Sequence, residues 1–225
     1  MPFQPFSGQH LIVISLTAFL IFLTVRVTRR LTQRKRLWVG RALGFFLLSY
    51  VLLFYSRMGI SGSLSWEYTL PLELCDWVLI ACLVGLFFSN QLASEIAYFW
   101  GLGGTVQAIL TPDLSKGFPS WDFVLFFWSH GTALAAIAFL ICRKGFRPRT
   151  GSVLRMLLAL NLYALAVGTV DGLFHWNYGY LCRKPAMPSL LDYLGPWPWY
   201  LLSLEFLALL IFFLLDLPWR WKCRS

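Results

Sequence analysis

Seven apolar stretches of about 20 residues divide this chain, and they limit its fold more strongly than any other feature. A helix of about 20 mainly apolar residues crosses the hydrocarbon core, and it satisfies its own backbone polar groups while doing so. We therefore predict an all-α, polytopic membrane bundle of seven transmembrane helices, forming a single domain over residues 1–225. The predicted spans are 9–28, 38–56, 71–88, 92–110, 121–142, 153–171 and 196–217.

The distribution of basic residues predicts the orientation of this bundle. A net charge of +9 would suggest nucleic acid as the partner of a soluble protein, but 58% of this chain is hydrophobic and the Lys and Arg residues cluster between apolar runs. We expect no nucleic-acid partner. Because cytoplasmic loops retain positive charge, the clusters at 29–36, 143–149 and 220–224 predict an N-terminus outside and a C-terminus in the cytoplasm. The first run lacks a basic leader and a cleavage site, so we expect it to be a retained span.

The third span opens with a group of chemically active side chains, Glu73, Cys75 and Asp76. Acids after a proline are common at helix starts, so for Glu73 and Asp76 both a capping role and a functional role stay open. The helix dipole favours a thiolate at Cys75, but the flanking acids oppose it, so an active Cys75 needs a neighbouring base. A small apolar filler is the other interpretation of this cysteine.

His130 is the candidate base, because it is the one histidine that lies well inside a predicted span; His10 and His175 lie near span ends. A hydrogen bond to a neighbouring helix is its alternative role. Other polar residues within spans are expensive in a bilayer and are functional candidates by default. We predict that six polar or acidic residues contact the substrate, namely Glu73, Asp76, Gln107, Asn161, Asp192 and Glu205.

Two further patterns concern packing and access. Gly103, Gly104 and Gln107 share one helical face, where small residues favour close helix packing. Prolines and aromatic residues crowd the segment 177–199, which predicts an ordered cap at the outer membrane interface, either as an anchor or as a lid for a lipid. The cysteines suggest neither a metal site nor a disulfide framework, and they are Cys75, Cys82, Cys142, Cys182 and Cys223.

At these segments the sequence resembles the YwaF-like bacterial membrane proteins, grouped with human transmembrane protein 164 as a family of membrane acyltransferases. The matching stretches are LPLELCD at 70–76, EIAYFWGLGGTVQAILTPDL at 95–114, SHG at 129–131 and KPAMPSLLDYLGPWPWYLLSLE at 184–205. The resemblance implies a bacterial plasma-membrane protein that moves a fatty acyl chain between glycerophospholipids. It also implies an acyl-thioester on a cysteine paired with a histidine, which by position are Cys75 and His130.

We therefore expect membrane phospholipids as substrates, with no cofactor and no metal, and we leave the oligomeric state open. If water replaced the acceptor, the same pair would make the protein a phospholipase. A non-enzymatic transporter or receptor is the alternative from another class, with a polar pathway through Glu73, Asp76, Glu205 and His130. The chain lacks the paired broken helices that are typical of inverted-repeat transporters. A scaffold or assembly factor also stays open.

Overall fold

The computed structural model describes residues 2–143 and 145–221, and the regular structure there is helical apart from a single bridge between Pro2 and Lys116. The all-α prediction is confirmed. In chain order the helices are α1 (Gly8–Arg30), α2 (Gln33–Ile60), α3 (Trp66–Thr69), α4 (Leu74–Phe88), α5 (Gln91–Trp100), α6 (Val106–Leu110), α7 (Trp121–Cys142), α8 (Ser152–Phe174) and α9 (Trp199–Trp221). A π-helical turn, Gly101–Thr105, joins α5 to α6, and short 3₁₀ turns lie at Tyr178–Tyr180 and Leu190–Tyr193.

Five of these helices, α1, α2, α7, α8 and α9, are long and apolar enough to cross a membrane. The third predicted span forms the shorter apolar helix α4, which begins at Leu74 instead of residue 71. It starts late because Glu73 adopts an extended conformation and caps the helix. The fourth predicted span covers α5, the π-helical turn and α6, so it is helical throughout but not one regular α-helix.

Helix α7 lies at the centre of the bundle and packs against α1, α2 and α4. In its most apolar stretch 72% of the residues are buried, against 17% in each of the other four long helices. Small residues allow this close packing, because a Cβ atom at Gly131 would lie 3.1 Å from Thr17 Oγ1. The other long helices turn large apolar side chains outward, as expected for helices that face lipid tails.

The two ends of the bundle differ in their polar groups. At one end, which we call the arginine end, Arg149 and Arg155 contact Glu95, and Arg220 Nη2 donates to the Arg149 carbonyl. At the opposite end, the cap end, residues 177–199 cover the helices, and Asp113 there accepts a hydrogen bond from Tyr180. Lys144, Lys222, Cys223 and Arg224 lie outside the described residues.

The start of α1 and the end of α9 lie at opposite ends of the bundle. At the start of α1, His10 Nε2 lies 2.8 Å from the Ile109 carbonyl, close to Asp113 at the cap end. At the end of α9, Arg220 reaches the arginine end. His10 is fully buried, and its Nδ1 accepts from the Phe6 N–H, so this histidine serves the packing of the N-terminus.

Candidate active site

A cavity of about 1330 Å³ lies among α2, α4, the α5–α6 run, α7, α8 and α9, with the cap segment lining one end of it. Its lining is mostly aliphatic and aromatic. The volume exceeds the roughly 300–1,000 Å³ that is common for small-molecule sites. An apolar space of this size fits a ligand with long hydrocarbon parts.

The cavity brings together seven of the eight residues proposed from the sequence. They come from five separate stretches of chain and are Glu73, Cys75, Asp76, Gln107, His130, Asn161 and Glu205. Asp192 is not among the described residues that line the cavity. Its Oδ2 accepts a hydrogen bond from the Ser189 N–H at 2.8 Å, so it caps the 3₁₀ turn of the cap segment.

Cys75 is the second residue of α4, at the cap end of the bundle. The two acids around it start the helix, because Glu73 accepts from the Asp76 N–H while Asp76 Oδ2 accepts from the Glu73 N–H at 3.1 Å. Glu73 Oε2 also accepts from the Gly179 N–H at 2.9 Å, which ties the helix start to the cap. The N–H of a second helical residue has no partner within its helix, so Cys75 offers an amide donor beside its thiol.

Three tyrosines from separate elements line the same cavity as Cys75. The hydroxyl groups of Tyr50, Tyr163 and Tyr180 lie near enough to interact electrostatically with the Cys75 thiol. Tyr163 donates to the Leu72 carbonyl at 2.8 Å, whereas burial and the Asp113 carboxylate raise the pKa of Tyr180. Sequence reasoning missed all three, because they occur on different elements and no motif connects them.

His130 projects from α7 into the same cavity, and its ring stacks on Phe126 with centroids 4.0 Å apart. Its Nδ1 lies 2.8 Å from the Phe126 carbonyl and 3.0 Å from Ser129 Oγ. A carbonyl only accepts, so this contact assigns the ring proton to Nδ1 and leaves Nε2 as the basic nitrogen. Among the described residues His130 Nε2 has no hydrogen-bond partner, unlike His10, whose two ring nitrogens both contact backbone groups.

The remaining polar candidates are held by hydrogen bonds within the bundle. Gln107 Nε2 donates to Thr111 Oγ1 at 2.7 Å, which engages one of its two amide protons. Asn161 Nδ2 donates to Glu205 Oε1 at 2.7 Å and so joins α8 to α9 across the cavity wall. This bond explains how the bundle tolerates Glu205 within a long apolar helix.

No group of three or more His, Cys, Asp or Glu side chains able to hold a metal occurs among the described residues. The four described cysteines are free thiols, Cys75, Cys82, Cys142 and Cys182. The cavity wall carries four acids, Glu73, Asp76, Asp113 and Glu205, and within the described part of the chain it has neither lysine nor arginine.

The long apolar helices define this chain as a helical membrane protein. Its cavity has a mostly apolar lining that includes several polar side chains and the thiol of Cys75. The chain belongs to the TMEM164 family, whose model matches residues 5–216. That match spans almost the whole chain and confirms the resemblance found in the sequence. No curated protein and no solved structure matches the chain.

Proposed function

We propose that this protein is a membrane-embedded phospholipid acyltransferase, with Cys75 as nucleophile and His130 as general base. The observation that carries the proposal is that these two residues, from α4 and α7, line the same apolar cavity. Cys75 lies at a helix start, where the dipole favours developing negative charge, and His130 has a basic nitrogen. The sequence resemblance points to the same pair.

The proposed reaction has two half-reactions that use the same groups. His130 Nε2 takes the proton of the Cys75 thiol, the sulfur attacks the ester carbonyl carbon of the donor lipid, and a C–S bond forms. The ester C–O bond then breaks, and the departing lysophospholipid oxygen takes the proton from His130. In the second half-reaction His130 accepts the proton of an acceptor hydroxyl, whose oxygen attacks the thioester. The C–S bond breaks and the sulfur regains its proton.

The cavity below Cys75 suits the acyl chain of such an intermediate. Leu79, Ile80 and Leu83 line it along α4, and Ile211 and Phe212 face them from α9. Leu83 lies about 12 Å deeper than Cys75 along the helix axis, at about 1.5 Å per residue. A chain attached to the Cys75 sulfur would therefore extend along an apolar wall.

The charge of the lining favours transfer between lipids over transfer from a phosphate-rich carrier. A carrier such as coenzyme A brings several negative charges, which proteins bind with Lys, Arg or helix N-termini. The described lining instead carries four acids and no basic side chain except His130. We therefore propose glycerophospholipids as both donor and acceptor.

The test is incubation of the purified protein in lipid nanodiscs with a phospholipid that carries a labelled acyl chain. We expect a hydroxylamine-sensitive adduct that disappears in Cys75→Ala and is transferred to added lysophospholipid. Release of the label as free fatty acid without transfer would identify a phospholipase. If the wild-type protein forms no adduct, the carrier or receptor alternative replaces this proposal.

The proposal includes seven spans, an outer cap end and a cytoplasmic arginine end in a bacterial plasma membrane. It is supported by the positions of the α1 start and the α9 end at opposite ends of the bundle and by the arginines gathered at one of them. Gln33→Cys and Met187→Cys, each in a background without native cysteines, provide the test. An impermeant maleimide on intact cells should label position 187 and not position 33, and the reverse pattern would overturn the orientation.

A further inference from the structure

The tyrosines that line the cavity differ in whether their hydroxyl proton is donated to a carbonyl or carboxylate of the protein. A phenol has a single proton to donate. Five tyrosines line the cavity, and four of them donate that proton to a carbonyl or a carboxylate: Tyr55 to the Thr69 carbonyl, Tyr68 to Glu67, Tyr163 to the Leu72 carbonyl and Tyr180 to Asp113. Those four hydroxyl groups form hydrogen bonds within the protein and have no further proton to donate to a ligand.

Tyr50 is the fifth, and within the described residues its hydroxyl donates to no carbonyl or carboxylate. Its hydroxyl group shares a hydrogen bond with the Ser129 hydroxyl and interacts electrostatically with Asp76 and Cys75, and Ser129 Oγ is 3.0 Å from His130 Nδ1. Tyr50 belongs to α2, which packs against both α4 and α7. It therefore lies between the helix of the proposed nucleophile and the helix of the proposed base, and no carbonyl or carboxylate of the described residues accepts its proton.

We propose that Tyr50 is a catalytic residue of the acyl transfer, donating a hydrogen bond to the oxyanion that forms when Cys75 attacks the acyl carbonyl. This inference rests on the proposed function. The second donor is the N–H of Cys75, which has no partner within α4. An amide and a side-chain donor that converge beside a nucleophile are the usual components of an oxyanion hole.

A neutral phenol suits this place in the fold. The cavity is apolar, and a neutral donor costs less to hold there than a buried cation would. In the tetrahedral intermediate the carbonyl oxygen carries the negative charge, and Tyr50 keeps its proton while the hydrogen bond shortens. Because thioester formation and breakdown both pass through such an oxyanion, Tyr50 acts in both half-reactions.

The test is Tyr50→Phe, which keeps the aromatic ring and removes only the hydroxyl. Single-turnover formation of the labelled thioester should slow by about 10²–10³-fold, the usual effect of losing one oxyanion donor. The lipid concentration at half-maximal rate should change by less than about threefold, because a transition-state interaction contributes little to ground-state binding. Tyr98→Phe is the matched control, since it removes a buried hydroxyl bonded to the Leu215 carbonyl outside the cavity. It should keep the wild-type rate.

Rates are normalised to the folded fraction, measured by size exclusion and thermal unfolding, so that lost protein is not counted as lost catalysis. A wild-type adduct together with an undiminished rate in Tyr50→Phe overturns the role of Tyr50 alone. An effect confined to the half-maximal lipid concentration also overturns it, because it assigns Tyr50 to substrate binding. The absence of any adduct in the wild-type protein overturns this inference together with the proposed function.

Discussion

Acidic side chains lie at both ends of the bundle, but the groups that bind them differ. At the arginine end the fully buried Glu95 accepts from Arg149 Nη2 at 3.0 Å, Arg155 Nη1 at 3.2 Å and Gln91 Nε2 at 3.1 Å. At the cap end Glu73 and Asp76 accept from backbone amides, and neither forms a salt bridge with any described residue.

This difference is expected if the arginine end stabilises the fold and the cap end holds the proposed reactive group. Glu95 is neutralised by two guanidinium groups, and together they join α5, the α7–α8 loop and α8. Glu73 and Asp76 instead form no salt bridge with a described residue, and they fix the helix start that carries Cys75. Proteins accept unpaired acids in an apolar site mainly where they have a function, so the comparison supports the proposal that the arginine end holds the fold and the cap end carries the chemistry.

The largest effect that tests this assignment should come from the proposed catalytic pair. Cys75→Ala and His130→Ala should each lower acyl transfer by about 10³-fold or more, and the double substitution should cost little more, because the two residues act as one unit. Cys75→Ser should retain little activity, since a hydroxyl is harder to ionise than a thiol. Transfer of a labelled acyl chain to lysophospholipid is the measurement.

Cys82→Ala is the control for that series. Cys82 also lies on α4, but it is fully buried with its sulfur 3.9 Å from the Ala133 carbonyl, and it is not among the residues that line the cavity. Its substitution should reduce stability more than activity, because it removes a packed thiol. Equal losses of transfer in Cys82→Ala and Cys75→Ala would show that packing, and not nucleophilicity, explains the effect.

Much of the fold was predictable because hydrophobic runs report on helices directly. All seven predicted runs are helical, and the errors lie at their ends, as at α4, where capping by Glu73 delays the start to Leu74. The π-helical turn, Gly101–Thr105, was not predictable from apolar length, because a π turn and an α turn have the same hydrophobic content.

The candidate site was predictable only in part. Costly polar residues within apolar runs suggested Cys75, His130 and Glu205, which all line the cavity. Tyr50 and the pairing of Glu95 with Arg155 were not found, because they depend on contacts between distant stretches of chain. Asp192 stood in a distinctive motif, yet in the structure it caps a 3₁₀ turn, a local role that the motif does not distinguish from substrate binding.

Removing the buried acid at the arginine end should produce the second-largest effect, which we expect in the free energy of unfolding. Glu95→Ala leaves Arg149 and Arg155 without their shared acid. We expect a loss of about 2–4 kcal/mol in unfolding free energy, somewhat below the cost of breaking a fully buried pair, because water reaches both guanidinium groups. The measurement is denaturant unfolding in detergent micelles. Transfer activity per folded molecule should stay at the wild-type level, and a catalytic loss without a stability loss would contradict the assignment.

A substitution in the cavity wall should change the specificity for acyl-chain length while leaving the polar contacts at both ends of the bundle intact. Gly103 lines the cavity, and a Cβ atom there would lie 3.6 Å from Phe212 and 3.7 Å from Ile211, so alanine fits. The larger side chain of Gly103→Leu would project into the space proposed for the acyl chain. We expect kcat/KM for long acyl chains to fall about tenfold relative to short ones. Competition between donors of two chain lengths is the measurement, and an unchanged ratio would place the chain elsewhere.

The smallest effect should come from loosening the cap. Asp113 accepts from Tyr180 Oη at 3.0 Å and from the Met187 N–H at 3.3 Å, and so it holds the cap segment from the end of the α5–α6 run. Asp113→Ala removes one hydrogen bond at position 180 and one at position 187. At about 0.5–1.5 kcal/mol per hydrogen bond, amide exchange next to each position should rise roughly two- to tenfold. Global unfolding should barely change, in contrast to Glu95→Ala, because these bonds hold one segment and not the bundle. Hydrogen–deuterium exchange read by mass spectrometry measures the effect.

Asp122→Ala is the control for this prediction, because it breaks an exposed ion pair with Arg57 at the same end of the bundle. Unchanged exchange over 180–187 in Asp113→Ala would show that other contacts hold the cap closed over Cys75.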